Sequence, residues 1–98
     1  NDLGQKRAFF AIGIHHLQRN EWPEAARHLA VANRTGLFDG NPLYWECVAI
    51  AGYRTDRLPE ALQAIGRAID LMPRHQRYVQ MRELIRRSID GRPAVKER

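Results

Sequence analysis

The sequence predicts an all-α fold, two helix-turn-helix repeats followed by a C-terminal capping helix. Three observations predict it. A block of residues recurs at a fixed offset of 36 positions. Within each block the apolar residues follow helical spacing rather than strict alternation. Prolines and capping residues stand where helices should start and stop.

The recurrence is specific. Trp22-Pro23-Glu24-Ala25-Ala26 is matched by Leu58-Pro59-Glu60-Ala61-Leu62. The same offset pairs Leu29 with Ile65, Ala32 with Ala68, Phe9 with Trp45, Ile12 with Val48 and Gly13 with Ala49. Large residues meet large ones and small meet small.

Each element then follows in order. Residues 8–18 are apolar at nearly every position, as in a helix buried on more than one side. The next helix starts after Asn20, with Pro23 in the first turn, where a missing N–H costs little. Glu24 suits the positive end of that helix. Ala25, Leu29 and Ala32 form a narrow stripe that lets a neighbour come close, and Gly36 is placed to cap the end. Asn41-Pro42 reads as an N-cap and first helical residue, opening a helix to about residue 54. Asp56 is expected to cap the next one, which Pro59 and Glu60 begin and Pro73 ends. A fifth helix, about residues 75–89, places Tyr78, Met81, Leu84, Ile85 and Ile89 on one face. Gly91-Arg92-Pro93 stops it.

The positions resemble the tetratricopeptide repeat. In the second unit the family's pattern falls on Trp45, Val48-Ala49, Leu58, Ala61, Ile65, Ala68 and Pro73. In the first it falls on Phe9, Ile12-Gly13, Trp22, Ala25, Leu29 and Ala32, without the closing proline and two residues longer than usual. Met81, Leu84-Ile85 and Ser88 fit the opening helix of an incomplete third unit. The resemblance implies a short right-handed α-solenoid. It divides the chain into a domain over 1–90 (repeat 1 about 5–38, repeat 2 about 41–73, capping helix about 75–90) and a flexible tail at 91–98.

The same resemblance implies a concave face lined by the first helix of each unit. Carried over, the partner-binding residues are Phe10, Ile14 and Leu17, then Glu46, Ile50 and Tyr53, then Arg82 and Arg86. Five of the first six are apolar, a composition that suits the apolar stripe of an amphipathic helix. Covering by a neighbouring repeat or by a second copy of the chain accounts for the same stripe. Arg82 and Arg86, four residues apart, suit a carboxylate. The family's carboxylate clamp also needs a basic residue and asparagines where this chain has Phe10, Ile14 and Ile50, so the clamp is at most half present. Glu46 is expected to pair with Arg82.

Composition excludes other classes. The one cysteine, Cys47, forms no internal disulfide and fits a reducing, cytoplasmic setting. No apolar run spans a bilayer. Opening on Asn1 rather than Met, the chain is expected to be processed or part of something longer, and removal would take any targeting segment with it. The net charge of +5 is concentrated in residues 74–98, with eight Lys/Arg against three Asp/Glu. Those cations would attract polyanions, but no stacking aromatics or recognition motif accompany them. No phosphate loop, HExxH or nucleophile elbow occurs, so no enzyme, cofactor or catalytic residue is expected. His15, His16 and His28 lack metal-ligand spacing, and His16 fills a slot the family gives to a buried aromatic. The expectation is a protein-binding adaptor or chaperone-like scaffold of bacterial type, or a non-catalytic appendage of a larger protein.

Overall fold

The computed structural model describes residues 2–91. They form five α-helices: α1 (Asp2–Gln18), α2 (Trp22–Ala32), α3 (Pro42–Arg54), α4 (Leu58–Leu71) and α5 (Gln76–Asp90). No strand occurs among the described residues. Packing follows chain order, α1 on α2, α2 on α3, α3 on α4 and α4 on α5, with α3 also touching α1. Among the described residues no helix is long and apolar enough to cross a membrane. The predicted tail, beyond Gly91, lies outside the described residues.

The turns inside the two helix pairs are built alike. Asn20 and Asp56 adopt positive φ, 61° and 64°. Asn and Asp tolerate this left-handed conformation better than other side chains. Just after them, the Glu21 N–H donates to the His16 carbonyl at 2.9 Å and the Arg57 N–H donates to the Gly52 carbonyl at 2.8 Å. Asp56 is therefore a turn residue and not the predicted cap. Arg57 holds the N-cap position of α4, with no side-chain cap bond. Gly36 is also displaced from its predicted role. Helix α2 ends at Ala32 with Asn33 at its C-cap. Gly36 turns the loop beyond, at φ 81°. Asn41 does cap α3, its side chain accepting from the Leu43 N–H at 2.9 Å and the Tyr44 N–H at 3.3 Å.

Small residues set how closely the paired helices approach. A Cβ on Gly52 would lie 3.2 Å from Ala61 Cβ and 3.3 Å from Ala61 Cα, so α3 and α4 nearly touch at the backbone. A Cβ on Gly13 would lie 2.9 Å from Leu29 Cδ2, which is the end of a flexible side chain.

Two clusters make the core. Phe10, Leu29, Ala32, Tyr44, Cys47 and Ala51 form one. Ala49, Ala61, Ala64, Ile65, Ala68, Tyr78 and Ile85 form the other. Trp45 and Val48 pack against both and join them. Two predicted core positions are open. Ile12 is 40% exposed and Leu84 46% exposed. Their counterpart at the same offset, Val48, faces both α2 and α4 beside Leu29, Ala51 and Glu60. Ile12 and Leu84 sit on the first and last described helices, each with a single neighbour in chain order among the described residues.

The first cluster has an alkaline signature. Burial pushes the Tyr44 phenol from its ordinary 10.0 up to about 12, its OH donating to the Leu29 carbonyl at 2.9 Å. Burial likewise raises the Cys47 thiol from 9.0 to about 11. The unfolded chain loses both protons first, so this contribution is intact below pH 9 and drains away as pH rises through 9 to 12. Urea midpoints are expected to hold steady to about pH 9 and then fall. The Cys47→Ala variant should show a shallower fall between 9 and 11.

Candidate partner-binding face

The predicted face draws on α1, α3 and α5, and the structure divides its eight residues into three groups. Phe10 and Glu46 are buried, 8% and 7% exposed, and present no free surface. Ile14, Leu17, Ile50, Tyr53 and Arg82 are half-buried. Arg86 is exposed.

Phe10 is removed by the loop between α2 and α3. That loop brings Phe38 back over α1, with its ring 4.7 Å from that of Phe10. Tyr44 closes the other side at 5.5 Å. Asn33 fixes the loop, its side-chain oxygen accepting from the Phe38 N–H and its amide donating to Asp39 Oδ1 at 2.8 Å. Phe10 is core, because an aromatic trio is a better home for it than water.

Glu46 pairs with Arg77 and not, as predicted, with Arg82. Its Oε2 lies 2.7 Å from Arg77 Nη2, and its Oε1 accepts from the Tyr78 OH at 3.1 Å. Burial and the Glu46 carboxylate push the Tyr78 phenol up. The other face of Tyr78 is stacked by His75 at 3.9 Å. This network pins α5 to α3. Glu46→Ala leaves the Tyr78 OH buried without its acceptor and should cost about 1–3 kcal/mol. Glu46→Gln keeps an acceptor and should lose clearly less. Urea titrations of the two variants and of Tyr78→Phe/Glu46→Ala check this, the double variant recovering part of the loss.

What remains of the face is two matched pairs. Ile14 and Ile50 lie 36 residues apart, as do Leu17 and Tyr53. Ile14 and Leu17 rest on the first core cluster and Tyr53 on the second, each with part of its surface open. On α5, Arg86 reaches Glu83 at 3.5 Å. The Arg82 Nε is buried and makes no hydrogen bond among the described residues. Arg82 thus holds a directed donor in need of an acceptor.

A cleft that the sequence did not point to continues the face past Tyr53. It is a shallow, open depression of about 710 Å³ whose lining includes Tyr53, Arg54, Asp56, Leu58, Arg87 and Ser88. Its walls come from the ends of α3 and α5 and the start of α4, which only the fold brings together.

The other chemistry-bearing groups are accounted for separately. Cys47 is buried and its raised thiol is a poor nucleophile. His16 Nδ1 lies 2.8 Å from Glu21 Oε1, and this bond is the main reason the Glu21 carboxyl is lowered. His28 Nδ1 lies 2.9 Å from the Glu24 carbonyl. Among the described residues no group of three or more His, Cys, Asp or Glu is placed to hold a metal ion.

Compared with known proteins, the sequence matches no family model and no curated protein.

Proposed function

We propose that this chain is a protein-binding helical-repeat module of the tetratricopeptide type, a short right-handed α-solenoid. It holds an amphipathic partner helix or apolar segment along Ile14, Leu17, Ile50 and Tyr53. The observation that carries the reading is the pairing of these four half-buried apolar side chains at the repeat offset on α1 and α3. Rigid helices hold them at fixed spacing, so a partner meets a preorganised surface at lower entropic cost. Half-buried Arg82 and exposed Arg86, one turn apart, place two guanidinium groups at the α5 end that suit an acidic group on the partner. The reading assigns no catalytic residue and no enzyme activity, and the buried free thiol of Cys47 fits a reducing, cytoplasmic setting.

The same face serves a stand-alone adaptor or an appendage of a larger protein. The basic C-terminal quarter favours a second reading, attraction to nucleic acid, which salt dependence separates from the first. An apolar helical peptide should bind with little change between 50 and 300 mM salt, whereas phosphate contacts lose orders of magnitude over such a range. Fluorescence anisotropy with a labelled amphipathic peptide and a labelled oligonucleotide makes the comparison. Tighter binding of the oligonucleotide at the higher salt would reverse the order of the two readings.

A further inference from the structure

Outside the proposed groove, the turn between α1 and α2 carries a pair of imidazoles. We propose that His16 and His28 form a two-histidine site for a borderline divalent cation of the Zn²⁺ or Cu²⁺ class, clipping α1 to α2. The inference stands on the first helix pair alone and does not depend on what the groove binds.

The hydrogen bonds decide the tautomers. His28 Nδ1 faces a backbone carbonyl, Glu24 O at 2.9 Å, so that nitrogen carries the proton. His16 Nδ1 faces the Glu21 carboxylate at 2.8 Å and is protonated for the same reason. In each neutral ring the lone pair is then on Nε2. This is the arrangement of metal-binding histidines, which donate the remote N–H to a carboxylate or a carbonyl.

Spacing agrees. With Zn–N bonds of about 2.0–2.1 Å, two imidazoles on adjacent tetrahedral vertices have ring centres roughly 5 Å apart. The rings of His16 and His28 are 4.9 Å apart, their planes inclined by 34°. Both rings are half-buried, so water reaches the site and would complete the coordination. An exchangeable ion is expected, in keeping with the lack of a third ligand among the described residues. His15 is a poor alternative. Its ring is 6.3 Å from that of His16, and adjacent helical residues point about 100° apart. Sequence spacing hid the pair because its members come from different helices.

Calorimetric titration of the 98-residue chain with ZnCl₂ at pH 7.5 tests the proposal. One ion per chain is expected, with a rise in Tm. His16→Gln and His28→Gln should each weaken binding at least about tenfold, and Glu21→Gln by about 10–100-fold through the freed imidazole. His15→Ala and His75→Ala should bind as the parent does. Acidification should release the ion, since protons compete for the same nitrogens. Should either glutamine variant fail to fold, ¹⁵N spectra of the parent read the site directly. Zn²⁺ should shift the Nε2 resonances of His16 and His28 and leave both Nδ1 atoms protonated. No saturable binding, or a loss in His15→Ala equal to that in His28→Gln, would overturn it.

Discussion

Gly52→Leu is expected to destabilise the chain by at least about 2 kcal/mol, because it inserts a side chain where two helix backbones nearly meet. A Cβ there already stands 3.2–3.3 Å from the Cβ, Cα and N of Ala61. Ala61 is fully buried and belongs to the backbone of α4, so it cannot swing away as a long side chain could. Leucine would have to drive α3 from α4 and open the cluster around Ile65, which is itself fully buried. Two glycine-to-alanine changes bracket the effect. Gly66→Ala meets nothing within 4 Å, so helix propensity should give a gain of about 0.5–1 kcal/mol. Gly52→Ala sets the same gain against the tight contact and should fall between the other two. Thermal and urea melts of the three variants rank them. Equal stability for Gly52→Leu and Gly66→Ala would mean that α3 and α4 are not held at this separation.

The second large effect concerns binding. Ile50→Asp and Ile14→Asp should each lower affinity for an apolar helical partner by about 100-fold or more, near 3 kcal/mol. The cause is a carboxylate brought against an apolar ligand with no partner to satisfy it. Both isoleucines are half-buried and neither belongs to the fully buried core, so helicity by circular dichroism should survive. Leu84→Asp supplies the control. Leu84 is an apolar residue 46% exposed, off the proposed face, and its replacement should leave affinity unchanged. Normal binding by the isoleucine variants would remove the groove. Unfolding would reassign these positions to the core.

Much of the fold was legible because punctuation is local. Pro23, Pro59 and Asn41 mark helix starts by what their own backbone and side chains can do, and α2, α3 and α4 begin where they indicate. Other features depend on what a residue meets across the molecule. Phe10 reads as a surface residue until Phe38 is seen folded over it. Glu46 could not be assigned to Arg77 without knowing how α5 lies against α3. Periodicity marked Ile12 and Leu84 as apolar positions, but only the packing shows that they are exposed. Asp56 has the composition of a cap and the dihedral of a turn, φ 64° lying outside the β-region that an N-cap adopts. Ile14, Leu17, Ile50 and Tyr53, which share the offset of the core around them, are half-buried on α1 and α3.

The most direct measurement is selection of helical peptides from a displayed library against the chain, followed by ¹⁵N chemical-shift mapping of the tightest binder. An apolar groove predicts enriched peptides with apolar residues at i, i+3 or i+4 and i+7 and an acidic residue towards one end. The largest shifts should fall on Ile14, Leu17, Ile50 and Tyr53, with Arg82 next. A binder that maps instead to Leu84 and the outer side of α5, or a library that yields no shared pattern, would contradict it.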